Sequence, residues 1–416
     1  MSKKILLIIG ILAIVGVAVF LIFTSKPQTN GDSRVGFSIR EFLPFGKSDS
    51  VDTSGLVTDT DSDITTDTTP AVNTNKPIPR LRKISSEPVA GAVVFNIGTT
   101  SVVRFVEKGT GNVYEVTSDS LVIKRLTNTT IPKIVRAFWL PDASGFLAQT
   151  LMETNEIIET NFVKLNKNVL SSTNEILTSL NTTISKLPTN IKEIAVSPNG
   201  SKIFYYTAPN SSNWFISNPD GTDSSLVMSH PLTEWLPKWV TTNQIMMQNK
   251  SSSNSIGFNY IFNTQNKVLK KIGFGIVGLS SNPNSNGSLN LASIGGTSPQ
   301  LLLIDNNNTT LQKISAKTLA DKCVWTEKET PTAYCAIPTQ LPSGSYPDVW
   351  YQGLVSTEDI ISKIDLVNDI YYNTIDLSTE SDEKIDVVDI ELSPDETHLI
   401  FRNKIDGYLW MLRVEK

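Results

Sequence analysis

The sequence repeats one pattern of strand, turn and strand from about residue 80 to its C-terminus. The clearest copies begin at Ala137, Ile194 and Ile390, and each places an apolar strand before a Pro-Asp or Pro-Asn turn and a second strand after it. Pro followed by Asp or Asn, with Gly close behind, fits a type I turn that joins two strands. Looser copies lie near residues 93–106, 239, 279 and 325.

Each copy is followed by a second hairpin with an Asn- or Asp-rich turn, as around Asp220 and Asp305. Two hairpins make a four-stranded antiparallel unit of about 40–45 residues, which is typical of one propeller blade. We therefore predict an all-β fold, a β-propeller of about seven blades, with six or eight blades as alternatives. Insertions at residues 153–186 and 338–358 would explain the uneven spacing of the repeats.

The two ends of the repeat region complement each other. The last repeat stops at its third strand, near residues 408–414, and lacks an outer strand. At the other end, residues 81–85 (Leu-Arg-Lys-Ile-Ser) match residues 311–315 (Leu-Gln-Lys-Ile-Ser), which stand where an outer strand is expected. Because an open ring leaves an unpaired sheet edge, we predict that residues 81–85 complete the last blade. A chance match of five residues is the alternative.

The N-terminus carries a charge-free run of apolar and small residues from Ile5 to Phe23, behind Lys3 and Lys4. At about 1.5 Å per residue the run spans about 28 Å, close to the hydrocarbon thickness of a bilayer. A cleaved signal peptide is the alternative, but its apolar region is usually shorter and ends in a small-residue cleavage site. We predict a cytoplasmic stub and transmembrane anchor over residues 1–26, with the remainder outside the cytoplasm.

We predict a juxtamembrane segment and a disordered acidic linker over residues 27–79, and the propeller over residues 80–416. Between residues 48 and 75 the chain has six Asp and neither Lys nor Arg, so most of its formal charge of −5 belongs to the linker. Such a segment cannot bury enough apolar area to offset its ordering entropy. A mildly acidic chain of this kind is not expected to bind nucleic acid.

Two repeats carry a recognisable motif. Residues 197–200 (Ser-Pro-Asn-Gly) and 393–395 (Ser-Pro-Asp) are similar to the repeats of TolB-type, WD-repeat-like β-propellers. Residues 42–46 and 82–91 also resemble stretches of membrane-anchored propeller proteins from small-genome bacteria. The resemblance covers most of residues 34–416 and implies a propeller that serves as a platform for proteins or peptides. Some related propellers are fused to hydrolases, and the fold alone does not decide between these functions.

Cys323 and Cys335 are the only cysteines of the chain. Each lies six residues from Glu329, at the centre of a predicted turn, so a hairpin sets the two side chains opposite each other. A location outside the cytoplasm permits oxidation. We predict a disulfide between them, with two free buried thiols or a two-Cys metal site as alternatives.

Other candidate motifs are weaker. Gly273 to Gly278 spell G-x-G-x-x-G, but the residues that follow do not favour the helix that a nucleotide site needs. We predict an interblade loop there. His230 is expected in a loop and His398 in a strand, and the sequence has no G-x-S-x-G motif for a catalytic Ser. No catalytic, cofactor-binding or metal-binding residue is assigned.

Four tryptophans recur near the first hairpins, at positions 139, 235, 239 and 325. Packing between blades is the expected role of Trp139, Trp235, Trp239 and Trp325, and a ligand platform is the alternative.

We expect a membrane-anchored, extracytoplasmic binding or scaffold module for a protein, peptide or envelope glycan, without catalysis or cofactor. The alternative is an extracytoplasmic hydrolase or lyase that uses carboxylates at the propeller channel. Three or more inward-facing acidic or Arg side chains with raised carboxylate pKa values would favour the enzyme. A channel filled by apolar side chains, together with a flat aromatic face, would favour binding. A structural spacer without a ligand is a third possibility.

Overall fold

The computed structural model describes residues 77–152, 157–166, 180–329 and 331–414. Within these ranges the chain forms seven antiparallel sheets of four strands each. This confirms the predicted all-β propeller and its count of seven blades. Strands are numbered β1 to β28 and blades 1 to 7 from the N-terminus.

Blades 1 to 6 each use four strands that are consecutive in the sequence, and blade 7 uses three consecutive strands and β1. Blade 1 contains β2 (Val89–Ile97), β3 (Thr100–Glu107), β4 (Val113–Thr117) and β5 (Lys124–Arg125), and blade 2 contains β6 (Ile134–Trp139), β7 (Gly145–Leu151), β8 (Ile158–Asn166) and β9 (Asn181–Lys186). Blade 3 contains β10 (Ile191–Val196), β11 (Ile203–Thr207), β12 (Ser212–Ser217) and β13 (Ser225–His230). Blade 4 contains β14 (Trp235–Thr241), β15 (Gln244–Asn249), β16 (Ile256–Asn263) and β17 (Leu269–Val277). Blade 5 contains β18 (Ser280–Pro283), β19 (Leu289–Ile294), β20 (Gln300–Asp305) and β21 (Thr310–Ile314). Blade 6 contains β22 (Cys323–Trp325), β23 (Thr332–Pro338), β24 (Asp359–Asp365) and β25 (Ile370–Asp376). Blade 7 contains β26 (Val387–Leu392), β27 (His398–Asn403), β28 (Leu409–Arg413) and β1 (Leu81–Lys83).

Short helices occur in the connections of the described residues. They are a 3-10 helix (Ala320–Lys322), α1 (Asp348–Tyr351) and α2 (Leu377–Ser381). The first strand of each blade is its inner strand, and inner strands of successive blades contact one another, as β2 contacts both β6 and β26. The inner strands therefore surround the space that we call the channel.

Polar side chains close the hairpin turns locally. Asp305 accepts the backbone N–H groups of Asn307 and Thr309, and Asp365 accepts those of Val367 and Asn368. These bonds mimic a backbone turn and explain why Asp and Asn recur at the turns. They also favour the ionised carboxylate, and the N–H of Thr309 is the main reason why the pKa of Asp305 is lowered.

The core lies between blades rather than within one of them. Trp139 and Trp325 are buried between blades 1 and 2 and between blades 5 and 6. The indole N–H of Trp139 donates to the carbonyl of Gly91 at 3.2 Å, and that of Trp325 donates to Asn282 at 2.9 Å. Each tryptophan thus binds the inner strand of the preceding blade.

The approach of β2 to β6 requires a glycine. A Cβ atom at Gly91 would lie 2.1 Å from the carbonyl oxygen of Ala137. Trp235 is buried between blades 3 and 4, and the half-buried Trp239 packs against the same cluster. All four tryptophans pack in or against cores between blades, as predicted, and Trp139 also borders the channel.

The ring closes by pairing the first strand with the last. Leu81 pairs with Leu412, Arg82 with Met411 and Lys83 with Trp410, all antiparallel. Beyond this ladder, the N–H of Ile84 donates to the carbonyl of Leu409 at 2.8 Å. The predicted closure by residues 81–85 is confirmed. The guanidinium of Arg82 also donates to the carbonyl of Thr117 at 2.8 Å, which ties the closing strand to blade 1.

Three sequence predictions need correction. Residues 153–186 are not simply an insertion, because they contain β8 and β9, whose many polar residues obscure the strand pattern. Gly273 and Gly275 lie in the outer strand β17, where an edge strand tolerates glycine, and only Gly278 lies in the link to blade 5. His230 ends β13 and does not lie in a loop, since it pairs with Ser212. The predicted insertion at 338–358 is confirmed, as it joins β23 to β24.

The predicted anchor at residues 1–26, and the predicted linker as far as residue 76, lie outside the described residues. In the part of the chain that the structure describes, no helix has the length and apolar character needed to cross a bilayer.

Closure can be tested with two matched leucines. Leu81 in β1 is 5% exposed, whereas Leu311, at the equivalent position of blade 5, is 50% exposed. We expect Leu81→Ala to lower the free energy of unfolding by about 2–5 kcal/mol and Leu311→Ala to change it by less than about 0.5 kcal/mol. Deletion of residues 80–88 should lower the melting temperature sharply. Equal effects of the two alanine variants in denaturant titrations would contradict closure by β1.

Candidate functional site

A cavity of about 690 Å³ lies in the channel, and we call it the channel cavity. Its walls come mainly from the inner strands of blades 7, 1 and 2, with Ile400 and Arg402 of β27 and Leu409 of β28 behind them and Val196 of blade 3 at one side. This volume is within the range of about 300–1,000 Å³ that is typical of small-ligand sites. Most of its lining is aliphatic, including Val89, Val93, Val94 and Val135.

Four charged side chains also line the channel cavity: Arg136, Asp389, Glu391 and Arg402. The two arginines are paired. Arg402 contacts Asp389 at 2.5 Å, and Arg136 contacts Glu193 of blade 3 at 2.7 Å. In these ion pairs a carboxylate already neutralises the positive charge of each arginine, which an acidic ligand would otherwise bind.

A β-bulge sets the direction of Asp389. The register of β26 against β27 shifts between Val388 and Glu391, and Asp389 has a left-handed backbone with φ of 52°. A positive φ is unusual for a residue other than glycine, although Asp tolerates it better than most. The bulge leaves Asp389 exposed, beside Arg402 of the neighbouring strand. Such local strain is often found at functional sites.

Glu391 is the exceptional group of the channel cavity. Burial raises its pKa to about 7, the negative charge of Asp389 adds to the rise, and a hydrogen bond from the backbone of Val94 opposes it. Among the described residues, no basic side chain forms an ion pair with Glu391. The carboxyl therefore populates both protonation states near neutral pH.

Elsewhere in the channel, polar side chains of the inner strands form hydrogen bonds between neighbouring blades. Lys238 of blade 4 donates to the carbonyl of Ser281 at 2.9 Å, and Asn282 of blade 5 donates to that of Cys323 at 2.7 Å. Burial lowers the pKa of Lys238. A smaller cavity of about 280 Å³ lies beside these side chains. The side of the channel with Glu391 is therefore the better candidate site.

Sequence reasoning did not single out Glu391. Its signal was nevertheless present, because Glu391 lies two residues before Ser393 of the Ser-Pro-Asp turn, where the repeats of blades 2 and 3 have Phe138 and Ala195. A charged residue at a position that is apolar in sister repeats indicates a side chain that does more than pack.

His398 lies with Ser101 and Asp395 at the contact of blades 7 and 1. The Ser101 hydroxyl is 3.4 Å from His398 Nδ1 and donates to Asp395 at 3.1 Å. Burial alone would raise the pKa of Asp395, but hydrogen bonds from Ser393, Thr397 and Ser101 outweigh it and lower the pKa to about 2. Ser101 is 1% exposed, and the acid binds the Ser rather than the His. The arrangement differs from a catalytic triad and joins two blades.

His230 lies away from the channel cavity, stacked against Trp214 with ring centres 5.9 Å apart. Burial lowers the pKa of both histidines. Within the described ranges, no group of three His, Cys, Asp or Glu side chains is placed to hold a metal ion.

Cys323 and Cys335 pair directly across β22 and β23, with Cα atoms 4.1 Å apart, and their sulfur atoms are joined in a disulfide. Both are buried in the core between blades 5 and 6. Their position is one of packing between blades, and neither side chain lines the channel cavity.

No protein-family model matches the chain, and no curated protein matches its sequence. Among solved structures, an oligogalacturonate lyase in complex with manganese superposes with a TM-score of 0.54 and 10% sequence identity, over 81% of this chain and 93% of that one. An oligogalacturonate lyase from Vibrio parahaemolyticus gives 0.53 and 10%, over 81% and 94%. TolB from Acinetobacter baumannii gives 0.40 and 10%, over 80% of this chain and 64% of that one. At this identity the two lyases support the propeller fold that the sequence resemblance implied, and nothing further.

The pKa of Glu391 predicts how stability changes with pH. A Glu normally titrates near 4.5 and this one near 7, so folding favours its protonated form. The free energy of unfolding should therefore fall as the pH rises from about 4 to about 8, through both pKa values. Glu391→Gln should remove this part of the pH dependence, whereas Glu380→Gln, at an exposed position of helix α2, should keep it. Denaturant titrations across that pH range measure the free energy of unfolding of each protein. Parallel pH profiles for wild type and Glu391→Gln would contradict the prediction.

The disulfide predicts two buried sulfur atoms that do not react with thiol reagents until reduced. Full-length protein should show no labelling after denaturation alone and two labelled cysteines after reduction and denaturation. Replacing both cysteines by alanine should lower the free energy of unfolding by about 3 kcal/mol, because the crosslink constrains the unfolded chain. Labelling of both cysteines without a reductant would contradict the bond.

Proposed function

We propose that the protein is a membrane-anchored, extracytoplasmic propeller that binds a peptide or protein segment in its channel cavity. The supporting observation is a cavity of ligand size with aliphatic walls and one carboxyl group, Glu391, that lacks a basic partner among the described residues. Few convergent polar groups within an apolar pocket are typical of ligand sites.

The charges of the cavity suggest the chemistry of the ligand. Asp389 and Glu193 already occupy the two arginines, so an acidic group finds no unpaired cation in the wall. Glu391 instead favours a cation, such as a Lys or Arg side chain or a terminal amine, attached to an apolar body that contacts Val93 and Val135. Among the expected partner classes, a basic, apolar peptide fits better than a neutral glycan.

The proposed location rests on the sequence of residues 1–79. An apolar run preceded by lysines would anchor the chain, and the acidic segment behind it would hold the propeller away from the bilayer. A tether of this kind lets one face of the propeller meet partners in the envelope.

A second candidate function is an extracytoplasmic hydrolase or lyase. An enzyme is expected to have three or more inward-facing acidic or Arg side chains with raised carboxylate pKa values. Four charged side chains line the cavity, and the carboxyl of one of them, Glu391, has a raised pKa. A group that titrates near pH 7 suits general acid–base catalysis. An enzyme acting on an acidic carbohydrate would need Arg136 or Arg402 to exchange its present partner for the substrate.

Both candidates can be tested with two variants of the channel cavity, Val135→Arg and Glu391→Gln. Val135 lines the channel cavity and is 45% exposed, while Val367 lies in a turn of blade 6 and is 50% exposed. Val135→Arg should fill and charge the cavity, and Val367→Arg is its matched control. We expect full-length protein in detergent to bind basic, apolar peptides, and Val135→Arg and Glu391→Gln to weaken binding at least about tenfold, or 1.4 kcal/mol. Calorimetric titration measures this.

Photo-crosslinking in the native membrane should capture a specific partner from position 135 and not from position 367. Turnover of an acidic oligosaccharide that is lost in Glu391→Gln would instead support the enzyme. Absence of both peptide binding and turnover would contradict a functional site in the channel cavity.

A further inference from the structure

A fully buried charged cluster lies between blades 6 and 7, outside the channel cavity. Lys322 Nζ is 2.6 Å from Asp359 Oδ2 and 2.6 Å from Asp386 Oδ1. The exposed fractions of these side chains are 2%, 0% and 0%. The three residues come from the 3-10 helix before β22, the start of β24 and the link before β26. Lys322 and Asp359 belong to blade 6, and the packing of blade 7 against it adds Asp386.

Asp386 is surrounded by hydrogen-bond donors. The indole N–H of Trp350 lies 3.0 Å from each carboxylate oxygen, and the backbone N–H of Thr357 donates to Oδ2 at 3.1 Å. Lys404 is 3.8 Å away on the same side. These contacts fix the carboxyl group of Asp386 in place, with Oδ1 against the amine of Lys322.

Asp359 has a different environment. Its Oδ2 accepts the backbone N–H of Val387 at 2.7 Å, and its Oδ1 lies 2.9 Å from the hydroxyl of Thr357. Burial raises the pKa of Asp359, although Lys322 opposes the rise. The neutral acid is therefore accessible, and its Cγ lies one bond from an oxygen that already contacts the amine nitrogen.

The Thr357 hydroxyl completes a path for a proton. It lies 2.9 Å from Asp359 Oδ1 and 3.0 Å from Asp386 Oδ1, the oxygen that also contacts Lys322 Nζ. A proton taken from the amine by Asp386 can thus reach the oxygen of Asp359 that would leave. The N–H of Val387 is placed to stabilise negative charge that develops on the other oxygen.

We propose that Lys322 and Asp359 condense into an intramolecular amide bond, with Asp386 as the proton-transferring base. The ammonium of Lys322 first gives one proton to the hydroxyl of Thr357, which passes a proton to Oδ1 of Asp359. The nitrogen lone pair then attacks Cγ, Asp386 accepts the second proton, and Thr357 relays it to Oδ1. The carbon–oxygen bond breaks, one water molecule leaves, and Asp386 is regenerated. An ammonium and a carboxylate are consumed, so no oxidant, reductant or other reactant is required.

The charges that remain support this step. Before it, the buried Lys322 and two buried carboxylates lie together beside Lys404, and burying ions is costly unless they are fully paired. After it, the amide is neutral and Asp386 faces Lys404 alone. The bond would also enclose residues 323–358, which contain both cysteines and the insertion with α1.

The mass of the full-length protein tests the proposal. Protein purified in detergent and reduced should be lighter than its sequence by one water molecule, and digestion should yield a branched peptide joining Lys322 to Asp359. Full mass, together with a free Lys322 in the digest, would overturn the proposal, and this measurement on the wild-type chain does not depend on any variant folding.

Asp386→Asn keeps the shape of the site and removes the base, so a folded variant should show the full mass. Lys322→Arg should also show it, and Lys404→Gln should keep most of the crosslink. The ion pair Lys83–Glu383 is an internal control, because it has a similar contact of 2.8 Å but is 29% and 42% exposed. It should remain unlinked, since water competes for both groups. A crosslink that persists in folded Asp386→Asn would overturn the role of Asp386.

Discussion

The antiparallel pairing of β1 with β28 determines whether the other blades can form a ring. Sheets in a propeller bury their faces against one another, so a missing strand leaves an edge open and exposes the apolar layers on both sides of the gap. The three-residue ladder from Leu81 to Lys83 removes that edge. Arg82 extends the contact to blade 1, so the seam of the ring is joined by strand pairing and by a side chain that reaches the neighbouring sheet.

In the closed ring, several polar side chains donate hydrogen bonds to the backbone of a neighbouring blade. Lys238 and Asn282 use their side chains on the backbone of the next blade, as the indoles of Trp139 and Trp325 do on the preceding one. These bonds satisfy buried polar groups and fix the spacing of the inner strands. Glu391 differs, because its partner is one backbone group, and the adjacent wall is aliphatic. A carboxyl group that can form further hydrogen bonds and that faces a cavity is a feature of a binding site rather than of a packing contact.

The sequence predicts the features that local chemistry determines. Pro394 and Asp395 mark a turn by their own conformational preferences, and residues 81–85 reveal the closing strand because they repeat an outer strand seen elsewhere. The strands β8 and β9 could not be predicted in the same way, since they are rich in Thr and Asn and lack a clear apolar alternation.

The cluster of Lys322, Asp359 and Asp386 is beyond sequence reasoning for another reason. Lys322 is 37 residues from Asp359 and 64 from Asp386, and only the placement of blade 7 beside blade 6 brings the three groups together. The candidate site depends on the same kind of long-range geometry, because Glu391 meets Val94 across the closed seam. Local patterns predict the repeats, whereas chemistry between blades becomes visible only in the assembled ring.

The position of β1 also has a mechanical consequence. The chain ahead of Arg80 continues directly into Leu81, so a pull on that chain reaches the propeller first at the three-residue closing strand β1. Tension would be resisted by the backbone ladder to β28 and, through Arg82, by the carbonyl of Thr117 in blade 1. Two blades therefore share a force that enters at one strand, and the ring would begin to open at its seam rather than at any of the other six blades.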